Sequence, residues 1–566
     1  MALKVFWTRA SKVDPGRLAY QLWPAIVGIA LLVFFSSSAL AKTIAPRDLS
    51  VEELVGQTFM IAIDTEIATA READVRAGRL GGGMLRWDRF TGDEARAMSE
   101  KMRSWSSASP HAIPFWFSTD HEGGPTFTQR RYGVAPFPGS MALGAAGSTE
   151  LAHDAAEATA RELRALGVSI TFAPSLDVNS NPANPIIGLR SYGQDPALVS
   201  RLGLAALQGY RDGGILAVPK HFPGHGDTSD DSHLGLPVST KTLAELETTE
   251  LVPFRAAIKA GAEAVMPAHM VFPALGAPPS TPVTLSSAVI EGFLRGRLGF
   301  KGLVFSDSLD MGAILNVYGS SESAVLTLLA GNDVLLIGKG DYPAAFAAVV
   351  DAVKSGRIPR ARLEASVARI LDAKRRLGLF SAETPRPLDA ESLARDRALA
   401  QRAADESVTL VRNDGILPLK LTQAQTLSLV LFHSARYADE AARFAAAVAK
   451  RHPLTEVFDL PVSPSTGAVA GALARTRASG AVVVGTYQYG TPVPAAQAGL
   501  VRGLIAGPAP VVAVSLMNPY DLALSSGARA AVCAYGMTDS SLEAVARLLF
   551  GELKPRGRLP VSVPGE

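Results

Sequence analysis

Cysteine is almost absent from this chain: Cys533 stands alone among 566 residues. That excludes an internal disulfide framework and any zinc or iron–sulfur site built from several thiolates. Charge of one sign is also lacking. Lys and Arg number 55 against 53 Asp and Glu, a net charge of +2, with no long run of either sign. Such a balance argues against a nucleic-acid partner held by backbone charge. Charged residues make up only 19% and hydrophobic ones 48%, which excludes a disordered chain and leaves apolar material for sizeable cores. Glycine (51) and proline (37) are plentiful and point to many sharp turns, not a helical bundle.

At the amino terminus, an apolar run spans Leu22–Phe35. It follows Lys4, Arg9, Lys12 and Arg17 and precedes Ser36-Ser37-Ser38 and the small-x-small triplet Ala39-Leu40-Ala41. Charged, then apolar, then a cleavage site is the order of a secretory signal, so cleavage is expected after Ala41, with the mature chain beginning at Lys42. The alternative is an uncleaved inner-membrane anchor over residues 22–40, barely the ~20 residues a spanning helix needs. Both place the rest of the chain outside the cytoplasm, periplasmic or secreted. No cysteine follows the apolar run, which excludes lipoprotein attachment.

Beyond Lys42, short β-rich runs alternate with Ala-rich helical stretches. The expected strands are Thr58–Ile63, Gly83–Trp87, Pro114–Ser118, Ser169–Ala173, Leu216–Lys220, Ala264–Pro267, Leu303–Ser306 and Val334–Ile337. Expected helices include Glu150–Leu166, Ala197–Asp212, Leu243–Ala260 and Tyr342–Leu377. Eight strand–helix units in ~330 residues predict an α/β fold of the (β/α)8 TIM-barrel type over residues 42–380. A doubly wound sheet is the alternative. Residues 381–406, with Pro385 and Pro387, read as a linker carrying a charged helical stretch. A second series of strands (Val408–Val411, Leu427–Phe432, Glu456–Leu460, Ala481–Gly485, Val511–Ser515, Ala530–Ala534) predicts a smaller αβα sandwich over 407–566.

In a barrel, chemistry gathers at the carboxyl ends of the strands. The third strand ends in Asp120-His121-Glu122-Gly123-Gly124. The fourth runs on to Asp177 and a loop holding Arg190. The fifth ends at Lys220-His221, the sixth before His269, and the seventh at Ser306-Asp307. Asp307, just past a buried strand, can be held tightly enough for nucleophilic attack; a helix N-cap is the plainer alternative. The densest polar stretch runs from Lys220 to His233, and Gly and Pro keep it from being a helix. Within it, Asp231 and His233 are two residues apart and share a face when extended, so the carboxylate can orient the imidazole for proton transfer. Lys220 and His221 offer donors for substrate hydroxyls. A metal site from His221, His225, Asp227 and His233 lacks the usual helical ligand spacing, and no metal or cofactor is expected. Arg130 and Arg190, in loops, either read hydroxyls with their planar fork or fix those loops by ion pairing. Trp87, Trp105, Trp116 and Phe172 read as core or pocket lining.

The stretch Lys220–His233 with Pro237, then Ser306-Asp307-Ser308-Leu309-Asp310-Met311, resembles glycoside hydrolase family 3, in its β-N-acetylhexosaminidase branch. Glu406–Leu419 resembles the start of that family's second domain, and Pro555–Val561 its closing motif. The resemblance implies a retaining exo-β-N-acetylglucosaminidase acting on muropeptides or chito-oligosaccharides. Asp307 would be the nucleophile and His233, held by Asp231, the general acid/base. Asp120, Arg130, Arg190, Lys220 and His221 would hold the terminal N-acetylglucosamine. The alternatives are a β-glucosidase or other family 3 β-glycosidase, an N-acetylglucosaminide phosphorylase, or a glycan-binding protein without catalysis. Three positions depart from the branch's pattern: Pro125 stands where an arginine is usual, His121 replaces a common glutamine, and Ser308 replaces a frequent aspartate.

Overall fold

Runs of Val, Ile, Leu, Met and Phe too short for helices become buried parallel strands when helices cover them. The computed structural model describes residues 44–86, 89–125, 128, 130–230, 235–381, 386–490 and 492–563. The expected leader (residues 1–41) lies outside the described residues, as do Trp87, Asp231 and His233; for Arg130 the description covers the backbone alone. Residues Leu49–Glu566 make one unit. Its first strands are β1 (Phe59–Ile63), β2 (Gly82–Leu85), β3 (Trp116–Thr119) and β4 (Ile170–Thr171). Then come β5 (Leu216–Ala217), which resumes as β6 (Lys220–Phe222), followed by β7 (Ala264–Pro267), β8 (Leu303–Val304) and β9 (Leu335–Gly338).

With β5 and β6 as two halves of one stave, these strands pair in parallel around a closed ring. β1 pairs with β2 and with β9, β2 with β3, β3 with β4 and β4 with β5. β6 pairs with β7 and β7 with β8. A bridge between Phe305 and Val334 joins the last two staves. Met60, Trp116, Ile170, Phe172, Leu216, Met266, Leu303, Phe305 and Leu336 fill the interior, so the barrel is a packed core and not a pore. Phe305 sits at its centre, 5.9 Å from the ring centroids of both Trp116 and Phe172.

Two stretches read as single helices are each broken. Leu243–Ala260 divides into Leu243–Thr248 and Leu251–Lys259. Pro253 causes this, because its ring clashes with the carbonyl four residues earlier, at Thr249, and it donates no N–H. Tyr342–Leu377 divides into Tyr342–Lys354 and Arg360–Arg376. Here Gly356 takes a left-handed φ of 80° and Pro359 precedes the second helix.

The remaining strands are β10 (Thr409–Asn413), β11 (Leu427–His433), β12 (Thr455–Pro461), β13 (Ala481–Thr486), β14 (Val511–Ser515) and β15 (Ala530–Cys533). They form one sheet in the order β10-β15-β14-β13-β11-β12. All neighbours are parallel except β10, which runs antiparallel on the edge beside β15. The lone Cys533 is buried in this sheet's core. Residues Ala390–Ser407 form a helix. Its Asp396 takes Arg161 of the barrel, while Asp405 takes Arg547 and Gln401 donates to Ser540 O on the sandwich side.

Candidate active site

The carboxyl ends of β3, β6 and β8, with the loop after β4, deliver polar groups to one cavity of about 480 Å³. Asp120, Arg190, Lys220, His221, His225, Asp307 and Ser308 line it, with Met84, Arg86 and Lys339 from neighbouring strand ends. Larger clefts of about 970 and 1240 Å³ exist elsewhere, but the groups singled out in the sequence converge on this smaller one.

Glu122, buried just past the carboxyl end of β3, organises the cations that line the cavity. Arg190 grips it with both arms, Nε and Nη2 each donating over 2.9 Å. Lys220 Nζ lies 2.7 Å from its Oε1 and donates over 2.8 Å to Asp120. Burial alone would raise the Glu122 carboxyl, but the two cations outweigh it and hold the group down at about 2. The same anions outweigh burial for Lys220 and Arg190 and keep both firmly charged.

Asp177, fully buried after β4, holds the start of the long loop. It accepts from His221 Nδ1 over 2.7 Å and from the backbone N–H groups of His221 (3.2 Å) and His225 (2.7 Å). Ser175 Oγ adds a bond of 2.8 Å. These partners assign the His221 tautomer. Nδ1 carries the proton toward Asp177, and Nε2 accepts from Arg190 Nη2 at 3.2 Å. Both ring nitrogens are therefore engaged, and His221 meets the cavity as an oriented ring more than as a free donor.

Asp307, just past β8, lines the same cavity. Its Oδ1 accepts from the Ser308 N–H over 2.7 Å. Burial would raise its carboxyl, but His269 foremost, with the Ser308 N–H and Lys220, helps bring it below the ordinary value. An anionic oxygen at a strand end, in a cavity also lined by Lys220 and Arg190, is equipped to attack an electron-poor carbon. His269 is wholly buried, with Nε2 2.9 Å from the Ser308 carbonyl and Nδ1 2.8 Å from Thr284 Oγ1. It clamps the peptide that follows Asp307. Ser308 Oγ donates to Asp310 over 2.6 Å, and Asp310 accepts from the Lys339 N–H.

The structure thus brings Asp120, Arg190, Lys220, His221 and Asp307 around one cavity. The loop that carries Asp231 and His233 leaves from its edge at His225. Sequence reasoning gave Glu122, Asp177 and His269 no role in the site. Each stood at a strand end already noted, but only their burial beside a cation or a backbone dipole marks them out. Away from the cavity, His153, Asp154 and Glu157 on the outer helix Thr149–Ala165 could meet a metal ion. There His153 is already paired with Asp154 and Asp212.

Comparison with known proteins accords with this geometry. The chain is 32% identical over 356 residues to β-hexosaminidase A of Pseudoalteromonas piscicida, covering 59% of each chain. It is 32% identical over 385 residues to a β-N-acetylglucosaminidase/β-glucosidase of Cellulomonas fimi, covering 66% of each. It therefore spans less than two thirds of the length of either. A solved structure of a family 3 β-N-acetylglucosaminidase from Paenibacillus sp. str. FPU-7 superposes with a TM-score of 0.82 at 34% identity, covering 91% of this chain and 99% of that one. Residues 50–373 match the glycosyl hydrolase family 3 N-terminal domain, and the chain belongs to that family.

Proposed function

We propose that this protein is a retaining exo-β-N-acetylglucosaminidase that releases terminal β-linked N-acetylglucosamine from muropeptides or chito-oligosaccharides. The observation that carries this reading is an anionic Asp307 lining the same cavity of about 480 Å³ as the Asp120–Lys220 ion pair and Arg190. The names of the relatives support the amino-sugar substrate. In the first step an Asp307 oxygen bonds to the anomeric carbon as the bond to the aglycone oxygen breaks. That oxygen takes its proton from His233, which Asp231 orients. In the second step water attacks the same carbon, returns a proton to His233 and frees the Asp307 carboxylate. Asp120 accepts from sugar hydroxyls, while Lys220 and Arg190 donate to them; Arg130 belongs with this set by its sequence match. The amino-terminal pattern supports action outside the cytoplasm.

A β-glucosidase reading has one observation in its favour, the dual name of the Cellulomonas fimi relative. Chromogenic N-acetylglucosaminide and glucoside assays, run with and without inorganic phosphate, separate hydrolysis of either sugar from phosphorolysis. Asp307→Ala is expected to lower kcat at least ~10³-fold. A fluorinated N-acetylglucosaminide should leave a sugar adduct that peptide mass analysis places on Asp307. A near-parental rate in that variant, or an adduct on another residue, would overturn the assignment.

A further inference from the structure

In the second sheet the strand order turns back between β11 and β13, and the crevice at the carboxyl ends of strands flanking such a switch is where open α/β sheets take ligands. Here the barrel's own loops occupy the neighbouring strand ends. Tyr437, after β11, donates from Oη to the Pro125 carbonyl over 2.6 Å. After β13, Gly490 packs so close to the Pro185 carbonyl that an added Cβ would sit 2.4 Å from it. After β14, Asn518 faces Gly188, where an added Cβ would meet its Oδ1 at 2.7 Å. Tyr520 Oη accepts from Asn179 Nδ2 over 2.6 Å.

The last contact leads into the cavity. Asn179 is buried, and its Oδ1 accepts from the Gly188 N–H over 3.1 Å. Gly188 opens the single helical turn Gly188–Arg190, and that turn ends in the guanidinium that holds Glu122 and His221. The amide can face only one way: Gly188 N–H needs the oxygen, so the NH₂ must find an acceptor, and Tyr520 Oη is that acceptor. We propose that Tyr520, on the second domain, is a positioning residue for the sugar site: through Asn179 and Gly188 it fixes where Arg190 stands. The inference rests on the reading of Arg190 as a substrate-binding group. The second domain then acts as a clamp on the loop after β4 and not as a binding module of its own.

Tyr520→Phe removes the acceptor and keeps the ring. It is expected to raise KM roughly tenfold on whichever β-glycoside the parent hydrolyses, with kcat changed less than threefold. In an Arg190→Lys background the same substitution should add less than twofold, because the arm it positions is already altered. Ser562→Ala, which removes a neighbouring contact between Ser562 and Gln194 across the same interface, should leave KM unchanged. Independently of any activity, deuterium uptake at residues 186–191 should speed up in Tyr520→Phe and not in Ser562→Ala. Parental uptake at 186–191 in Tyr520→Phe would overturn the relay. Faster uptake with KM within twofold of parental, or a full tenfold rise persisting beside Arg190→Lys, would overturn its role in placing Arg190. A parent inactive on every glycoside would defeat the enzymatic reading, while the uptake result would still decide the relay.

Discussion

The barrel carries a buried carboxylate clasped by cations at each end, two around Glu122 and three around Asp333, and the two clusters differ in what they face. At the mouth, Glu122 is held by Arg190 and Lys220, and both cations also line the cavity. At the opposite end, Asp333 precedes β9. Its Oδ2 accepts from Arg295 over 2.8 Å and from the Val304 N–H over 3.0 Å. Its Oδ1 takes Arg369 over 2.8 Å and also Ser366. Arg295 spends a further donor on the Gly302 carbonyl, and Arg362 reaches the Asn332 carbonyl. The arginine and serine bonds tie outer helices to the strand ends, and the Val304 N–H ties β8 to the residue before β9. Similar charges under similar burial thus make a site at one end and a fastening at the other. In such barrels the loops at the carboxyl ends of the staves build the site, whereas the opposite face serves stability.

The comparison can be broken most forcefully at Glu122. Glu122→Gln leaves Arg190 and Lys220 short of an anion, and is expected to lower kcat/KM by about 10²-fold or more in protein that still unfolds cooperatively. Parental kinetics in this variant would remove the functional half of the contrast. Asp333→Asn probes the other half. It should cost about 3–5 kcal/mol of stability in urea unfolding, with kcat/KM per folded molecule within twofold of the parent. A loss of activity matching that of Glu122→Gln would erase the distinction.

The smallest effect is expected at Lys374, buried near the Asp333 end with no carboxylate beside it among the described residues. Its Nζ donates to Gln57 over 2.8 Å and lies 5.0 Å from the centre of the Trp116 ring. Burial lowers its pKa well below 10.5, so the folded chain gives up this proton at a lower pH than the unfolded chain does. The unfolded state then binds more protons, and stability rises with pH up to the ordinary lysine value. Lys374→Met removes that slope. The urea midpoint of the variant should gain on the parent more at pH 6 than at pH 9, and equal offsets at both would show that the amine is charged in the folded protein.

Much of the fold was legible because periodicity and punctuation are local. The runs at Ala264–Pro267 and Val511–Ser515 coincide with β7 and β14. The helix breaks at Pro253 and Gly356 were written in the chain but masked by strong apolar periodicity on both sides. At the site, the ionisable residues after each strand pointed to Asp120, Lys220, His221 and Asp307, since a barrel gathers its strand ends at one face. Glu122 was not legible as the hub. Its neighbours Arg190 and Lys220 lie 68 and 98 positions away, and nothing local tells a buried bridging glutamate from an exposed one. Nor could the sequence tell that both nitrogens of His221 are taken, which follows only from Asp177 and Arg190 closing on it.

By itself the sequence determined which segments are strands, where each stave ends and which reactive side chains those ends carry, because alternation, glycine, proline and apolar runs act over a few residues. Only the tertiary structure decided which of those side chains share a cavity, which are consumed in holding one another, and that Tyr520 of the second sheet reaches the loop bearing Arg190. Ring closure and domain packing bring together residues hundreds of positions apart, and the strength of an ion pair or a hydrogen bond is set by that proximity and burial, neither of which is encoded locally.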